Sequence, residues 1–282
     1  MCMRRFFCIL IVLLTVFAGT GFSGEKIINE DEAQGFVPMP IIMYHAIVPD
    51  NFRVNRYSIK ISDFTKDLDY IKEAGYETIL PRDLVAYTEL GTPLPEKPIM
   101  LTFDDGFYGV KKYAMPELQK RGQKAVVPVV GQFMKDELKN VRRVTFSYLL
   151  IEDAKELEDS GVFEIGHHSY NMHGQKKRKG IGRIKGESQE QYEKMFREDT
   201  EMLMKKLREY RVTLPVSYAF PFGIFEKNSN LLLKNMGFKV TFSCTEGVNK
   251  ITRDKECLFG LKRYNRSGTG KSVQGILENT KK

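Results

Sequence analysis

The stretch IMLTFDDG, residues 99–106, indicates the fold because it places charge directly after an apolar strand. The sequence predicts a strand over Ile99–Phe103. This strand ends in two adjacent carboxylates, Asp104 and Asp105, and Gly106 allows a tight turn into the next helix. Since the carboxyl ends of parallel strands carry the chemistry in α/β folds, we expect a functional site at this edge.

The same pattern continues on both sides of this stretch. From Pro38 onward, short apolar strands alternate with amphipathic helices, which is typical of βα units and a parallel sheet. Predicted strands are Pro40–His45, Tyr76–Leu80, Ile99–Phe103, Ala125–Val130, Phe163–Gly166, Val216–Phe220, Phe238–Phe242 and Leu261–Tyr264. The first predicted helix is capped by Ser62 and ended by Gly75. The other predicted helices are Val110–Arg121, Ser147–Asp159, Glu187–Tyr210 and Lys227–Met236. We therefore predict an α/β fold with a single catalytic domain over residues 38–282, a (β/α) barrel of seven or eight strands.

The first 24 residues have the layout of a secretory signal. The basic segment Met1–Arg5 precedes the apolar run Phe6–Ala18, and small, flexible residues follow as far as Gly24. The apolar run is shorter than the roughly 20 residues that a spanning helix needs, which favours a cleaved signal peptide over an uncleaved membrane anchor. We expect a secreted or cell-surface protein, with a polar tether at residues 25–37 and membrane association only through the N-terminus.

Composition and charge exclude some classes of protein. With 42% hydrophobic and 28% charged residues, the chain is not mainly disordered. The formal net charge of +8 indicates only a modest preference for anionic surroundings. Cys2 and Cys8 would leave with a cleaved signal, whereas Cys244 and Cys257 would remain in an oxidising compartment. These last two form either a disulfide or two buried thiols, and the sequence leaves both alternatives open.

All four histidines fall at the ends of predicted strands. His45 ends the first strand, while His167, His168 and His173 follow the strand Phe163–Gly166. A single histidine here would be explained best as part of a polar loop, but the shared placement of all four favours a functional site. His168 and His173 are too far out of phase to share a helical face, so their segment must curl back to bring them together.

Asp105, His168 and His173 make up a two-histidine, one-carboxylate set that suits a divalent metal with open positions for water and substrate. A bound metal makes water more acidic, and the neighbouring Asp104 can then take its proton as the water attacks a carbonyl. In the turn AFPFG (219–223), Phe222 keeps a backbone N–H that could stabilise an oxyanion. The alternative for AFPFG is an ordinary turn after a buried strand.

Three motifs together resemble the polysaccharide deacetylases of carbohydrate esterase family 4. They are TFDDG (102–106), EIGHHSYNMH (164–173) and AFPFG, in this order and at about this spacing. The resemblance covers about Pro38 to Tyr264 and implies a distorted (β/α) barrel. It implies that Asp104 is the catalytic base and that Asp105, His168 and His173 bind the metal, zinc first, with cobalt, nickel, iron or manganese as alternatives.

The opening PIIMYH and the histidine spacing look most like the branch of the family that acts on poly-N-acetylglucosamine exopolysaccharides. In that branch His45 would lie near the site. The resemblance therefore implies a secreted hydrolase that removes N-acetyl groups from an acetylglucosamine-containing polymer, either an exopolysaccharide or a cell-wall glycan.

The third motif and the chain after it depart from the family pattern. Ala219 stands where members commonly have an arginine, Phe222 stands where they have a tyrosine, and no histidine follows the second motif to act as general acid. His45 is our candidate acid, with His167 as second choice, and Arg263 is our candidate for the missing arginine. The alternatives are a structural histidine at a strand end and a surface arginine.

Two other classes of function compete with this interpretation. A catalytically impaired carbohydrate-binding or cell-wall scaffolding protein of the same fold would explain the departures, although it would not need to retain Asp104. A polyanion binder would explain the basic run KKRK (176–179). Because this run lacks interleaved aromatic residues and the chain carries an export signal, a solvated loop explains it better than nucleic-acid binding. The expected partner is an N-acetylated polysaccharide and not a nucleic acid.

Overall fold

A curled parallel sheet organises the computed structural model, which describes residues 35–135, 147–174 and 178–280. The predicted signal at residues 1–24 lies outside these residues, as do most of the tether and two residues of the basic run, Lys176 and Lys177. In the described part of the chain, no helix combines the length and the apolar content needed to cross a bilayer.

The strands are β1 (Val37–Met39), β2 (Ile41–Tyr44), β3 (Ala46–Val48), β4 (Ser58–Lys60), β5 (Glu77–Thr78), β6 (Pro98–Phe103), β7 (Ala125–Val129), β8 (Phe163–His167), β9 (Ser217–Ala219), β10 (Val240–Phe242), β11 (Asn249–Ile251) and β12 (Tyr264–Asn265). The α-helices within the described ranges are α1 (Ile61–Glu73), α2 (Pro81–Leu90), α3 (Met115–Arg121), α4 (Ile151–Asp159), α5 (Gln189–Glu209), α6 (Ser229–Asn235) and α7 (Val273–Asn279).

Eight of these strands form the main sheet, in the order β10-β9-β8-β7-β6-β2-β12, with β5 paired to β6. Every pairing in this sheet is parallel, so all carboxyl ends lie on the same edge. The sheet curls into a distorted half-barrel with helices packed outside it. This confirms the predicted single-domain α/β fold and its number of strands.

Apolar side chains cover both faces of the sheet. Strand β6 is buried along its whole length, as expected of a parallel strand with packing on both sides. Because side chains alternate along a strand, Leu101 and Phe103 join the cluster beneath helices α1, α3 and α4, whereas Met100 joins Val240 and Phe242 inside the curl. Both clusters hold β6 in place, and β6 in turn fixes the position of Asp104 and Asp105.

Residues 261–265 link the two ends of the sheet. Leu261 forms a parallel bridge with Phe242 of β10, and the backbone N–H of Leu261 donates to Thr241 at 2.8 Å. Further along, Tyr264 and Asn265 form β12 and pair with β2 at the opposite end. This closing segment therefore reaches both edge strands of the curl.

Several helix boundaries differ from the prediction, and two of these differences have an identifiable cause. Ser62 does not cap α1, because the helix begins at Ile61 and the N–H of Ser62 is satisfied by the carboxylate of Asp50 at 3.0 Å. The helix expected from Ser147 begins at Ile151, since Tyr148 pairs with Phe107 in an antiparallel bridge.

A buried ion pair, which no local sequence pattern predicts, anchors the C-terminal helix α7. Asp67 on α1 accepts hydrogen bonds from Arg266 at 2.7 and 3.3 Å and from the backbone N–H of Val273, in the first turn of α7, at 3.2 Å. Tyr44 donates to the same carboxylate at 3.2 Å. Both members of the pair are buried, so neither charge can be hydrated if its partner is removed.

We predict that Asp67→Ala lowers the free energy of unfolding by about 3 to 5 kcal/mol, because it leaves Arg266 buried and unpaired. Denaturant unfolding measures this loss. Asp69→Ala on the same helix is the matched control: its partnership with Arg121 is exposed on the aspartate side, so the loss should stay below about 1 kcal/mol. Equal losses in the two variants would contradict the prediction.

Candidate active site

The turn after β6 presents the two aspartates in different directions. Asp104 is buried, while Asp105 adopts a left-handed backbone conformation, with φ of 72°. Such a conformation is uncommon outside glycine and is often found at functional sites. Gly106 follows with the same φ, and a β-carbon there would lie 3.1 Å from Val129, so the turn also needs its glycine. Because the strained turn directs the two carboxylates differently, Asp104 and Asp105 can have different roles.

The loop after β8 curls back as the spacing of its histidines requires. Ser169 has a φ of 68°, and Asp199 on α5 accepts hydrogen bonds from the backbone N–H groups of Tyr170 and Asn171 at 2.8 and 2.7 Å. These contacts turn the chain so that His173 returns to the sheet edge. Sequence reasoning did not identify Asp199, because it lies on the helix α5, distant from the motif along the chain.

Asp105, His168 and His173 meet at this edge. Their three candidate ligand atoms all lie within 4.8 Å of one another. Nε2 of His173 is 3.1 Å and Nε2 of His168 is 3.5 Å from Oδ1 of Asp105. The structure thus brings together the three residues predicted as metal ligands, although it contains no ion.

The donor atoms of this triad fit a divalent cation. Nδ1 of His168 lies 2.7 Å from the carbonyl oxygen of Ala219, which can only accept, so Nδ1 carries the proton. In the neutral ring, Nε2 then presents a lone pair towards Asp105. Oδ1 of Asp105 is itself buried without a hydrogen-bond partner among the described residues. A cation, either a proton or a divalent metal ion, must lie between lone pairs that face one another, and the backbone carbonyl that orients His168 is a typical outer contact of a metal ligand.

The electrostatics of the triad agree with this conclusion. Burial alone would raise the pKa of Asp105, but its contacts with His168 and His173 outweigh burial and hold the pKa below its usual range. Burial alone would lower the pKa of His168, but the nearby carboxylates of Asp105 and Asp104 raise it above its ordinary value. The site therefore attracts positive charge.

Arg263 lies directly behind Asp104. Its guanidinium makes a two-pronged ion pair with the carboxylate, at 2.7 Å to Oδ1 and 2.8 Å to Oδ2, and both side chains are buried. Burial opposes ionisation, yet the charge of Arg263 lowers the pKa of Asp104 below its ordinary value. Asp104 is thus ionised at neutral pH, and Arg263 is its buried partner and not a surface arginine.

The remaining histidines have different environments. His45 lines the same cavity as Asp104 and Asp105, and its ring lies 5.2 Å from that of Tyr57. Burial lowers the pKa of His45, while the two aspartates oppose this shift. His167 points away from the cavity, stacks on Tyr218 at 4.7 Å and contacts the carbonyl of Thr200 at 3.2 Å. Burial lowers its pKa to about 3, so it is a neutral core residue and the second choice of acid is wrong.

An open cavity of about 780 Å³ surrounds these groups. Two partly exposed aromatic rings flank the triad: Phe222 lies 4.4 Å from the ring of His173, and Tyr57 lies beside His45. Each ring makes a cation–π contact: Lys179 lies over Phe222, and Arg56 lies over Tyr57. The predicted oxyanion residue Phe222, in a left-handed turn with φ of 58°, is therefore at the site.

Cysteines and the basic run contribute little to this chemistry. Cys244 and Cys257 are both free, so the disulfide alternative is wrong. Cys257 packs against an apolar cluster, whereas Cys244 is exposed in the wall of the cavity. In the basic run, Arg178 is buried in an ion pair with Glu187, which leaves Lys179 as the described residue of the run that faces the cavity.

Comparison with known proteins agrees with this geometry. The sequence profile of the family described as "Polysaccharide deacetylase" matches residues 91–241, more than half of the chain. The chain belongs to the polysaccharide deacetylase family. Its fold also resembles that of IcaB from Ammonifex degensii, with a TM-score of 0.69 and 23% identity, over 87% of this chain and 98% of that one.

Two relatives of this family member are named poly-beta-1,6-N-acetyl-D-glucosamine N-deacetylase. The protein from Escherichia coli (strain K12) is 23% identical over 76% of this chain and 34% of its own length. The protein from Staphylococcus aureus (strain MRSA252) is 20% identical over 86% of this chain and 87% of its own length. This chain thus spans about a third of the Escherichia coli relative but most of the Staphylococcus aureus one.

We predict that His168→Ala removes a divalent metal from the protein, because two ligands from Asp105 and His173 do not hold it at a stoichiometric level. Elemental analysis after dialysis against limiting zinc measures this loss. His45→Gln is the matched control and should keep its metal, since His45 is outside the triad. Full metal occupancy in His168→Ala would show that the triad is not the metal site.

Proposed function

We propose that this member of the family is an exported, metal-dependent N-deacetylase that removes acetyl groups from a polymer containing N-acetylglucosamine. One observation carries the proposal: the triad of Asp105, His168 and His173 opens into the same cavity as the ion pair of Asp104 and Arg263. The names of the relatives support the polymer, and the layout of residues 1–24 supports export.

In this proposal the triad holds a divalent ion, zinc before cobalt, nickel, iron or manganese. When bound, such an ion supplies Lewis-acid activation of water and of the acetyl carbonyl. Asp104 takes the proton of the attacking water. Arg263 keeps Asp104 ionised and fixes its orientation through two hydrogen bonds, so the base is ready without rearrangement.

The other cavity residues act on the developing charges. The backbone N–H of Phe222 donates to the oxyanion that forms on the acetyl oxygen. His45 gives a proton to the departing sugar nitrogen, so that acetate and a free amine result. Since His45 is neutral at rest, the proton that it gives is the one that Asp104 has taken from water, and its transfer to His45 leaves Asp104 ionised again. The negative charges of Asp104 and Asp105 favour protonation of His45.

The competing proposal of a catalytically impaired carbohydrate-binding protein rested on the missing arginine and the missing late histidine. The position of Arg263 against Asp104, and of His45 in the same cavity, argues against it. Acetate release from acetylglucosamine oligomers, peptidoglycan, chitin and acetylated xylan, with and without a chelator, tests the proposed function. Release from at least one of the substrates that contain N-acetylglucosamine, abolished by chelator, together with no release from acetylated xylan, is the expected result; no release from any of them would contradict it.

We predict that Asp104→Asn retains the metal and lowers kcat by at least ~10², because the amide can accept a hydrogen bond from Arg263 but cannot take a proton from water. Steady-state acetate release and elemental analysis measure the two quantities. If the variant instead loses its metal and regains full activity when metal is added back, then Asp104 is a ligand and not the base.

We predict that His45→Gln lowers kcat by about 10² to 10⁴ with unchanged metal content, as expected when a general acid is removed. Tyr57→Ala is the matched comparison, since it removes the ring beside His45 without removing a proton donor, and its effect should be on KM. A His45→Gln enzyme with the kcat of the wild type would exclude His45 as the acid.

A further inference from the structure

The Phe222 turn, residues 220–224, holds two consecutive residues in the left-handed conformation. Phe222 has a φ of 58°, and Gly223 follows with a φ of 67°. The N–H groups of the next two residues donate within the turn, to the carbonyl oxygens of Phe220 and Pro221 at 2.8 and 3.1 Å, whereas the N–H of Phe222 has no acceptor among the described residues. A strained residue other than glycine keeps such a conformation only where its surroundings enforce it. Contacts around the turn must therefore hold this free N–H in place.

The glycine loop, residues 178–187, packs directly against the Phe222 turn. Gly180 has a φ of 68°, and a β-carbon there would lie 2.7 Å from the carbonyl oxygen of Pro221 and 2.9 Å from the β-carbon of Ile224. Both distances are too short for a real β-carbon, so only glycine lets the two segments approach this closely. At Gly182 a β-carbon would lie 3.1 Å from Cγ2 of Ile224, which extends the same contact.

The glycine loop is itself fixed at several points. Ile181 is fully buried in the apolar cluster into which the first residue of the turn also packs. The buried guanidinium of Arg178 closes the loop, because it donates to a carbonyl oxygen across the loop at 2.6 Å and forms an ion pair with Glu187. The backbone N–H of Arg183 donates at 2.8 Å to the carboxylate of Glu226, just beyond the turn. The loop is therefore a fixed support, and the charge of Arg178 serves its internal structure.

Two further contacts restrict the turn. The ammonium group of Lys179 lies 5.3 Å from the centre of the Phe222 ring, so the glycine loop also contacts the side chain of this residue. A β-carbon on Gly223 would lie 2.8 Å from that of Cys244, in the segment that follows β10. With both segments against it, the turn has little room to relax.

We propose that the glycine loop holds the N–H of Phe222 in position for the oxyanion, which makes Gly180 and Arg178 positioning residues for the reaction. Neither residue touches the reacting atoms. Gly180 acts through its close approach to Pro221, and Arg178 acts by keeping the loop closed. The inference rests on the proposed function, because it requires an oxyanion beside Phe222, and it deepens that function by giving a role to a segment outside the three motifs.

The test compares two glycine-to-alanine variants of the loop. Gly180→Ala places a methyl group against Pro221 and should lower kcat by about 10- to 100-fold, with KM and metal content unchanged, since a displaced oxyanion donor costs less than one removed. Gly186→Ala is the matched control: Gly186 is also left-handed, with a φ of 84°, but a β-carbon there would meet no other part of the chain within 4 Å. This control carries the same backbone strain and should keep the kcat of the wild type.

Arg178→Gln is a second variant, which removes the ion pair with Glu187 without adding atoms against the turn. It should lower kcat in the same direction as Gly180→Ala, again with KM and metal content unchanged. A KM that rises in either variant while kcat stays the same would overturn the positioning role, because the oxyanion forms only after the substrate has bound.

Amide NMR signals give a measurement that does not depend on turnover. Gly180→Ala and Arg178→Gln should each shift the signals of Phe222 and Gly223, and Gly186→Ala should leave them in place. A wild-type kcat or unmoved signals in Gly180→Ala would overturn the inference, as would equal losses of kcat in the two alanine variants. If the wild-type protein releases no acetate from any substrate, the proposed function fails, and the amide signals alone decide whether the loop holds the turn.

Discussion

The ion pair of Arg263 and Asp104 is the interaction on which the rest of the site depends. A carboxylate almost fully shielded from solvent keeps its charge only if a cation lies against it, and the guanidinium of Arg263, held by two hydrogen bonds, is that cation. Arg263 belongs to the segment that links β10 to β2 at the two ends of the curled sheet. The same segment therefore joins the two ends of the sheet and supplies the counter-charge of Asp104.

The metal-side half of the site also depends on a buried hydrogen bond between neighbouring segments. His168 is oriented by the carbonyl oxygen of Ala219, the residue that occupies the position of an arginine in many family members. Its backbone fixes one histidine, while Arg263, directly before β12, places a cation against Asp104. The two contacts meet at one edge of the sheet because the carboxyl ends of parallel strands converge.

Much of the fold could be predicted because its signals are local. Apolar runs and amphipathic spacing identify the strands of the main sheet, and the polar residues after β6 and β8 identify the edge that holds the candidate site. Features that depend on distant contacts could not be predicted in the same way. The backbone N–H of Ser62 is satisfied by Asp50, which lies in a loop, and Asp199 shapes the loop that carries His173. No local sequence pattern identifies Asp67 as the partner of Arg266.

The closing segment, residues 261–265, lies near the end of the described chain, so Asp104 meets its counter-charge Arg263 only after most of the chain has been synthesised. His45, near the start of the described chain, lines the cavity, and Arg263, near its end, contacts Asp104 from behind. The site therefore depends on contacts between residues very far apart in sequence. Such contacts form late in folding, because the entropy of closing the intervening loop must be overcome first. A nascent chain that ends before Arg263 would hold Asp104 without its main counter-charge. The base can therefore be buried in its ionised form only when nearly the whole chain is available to fold.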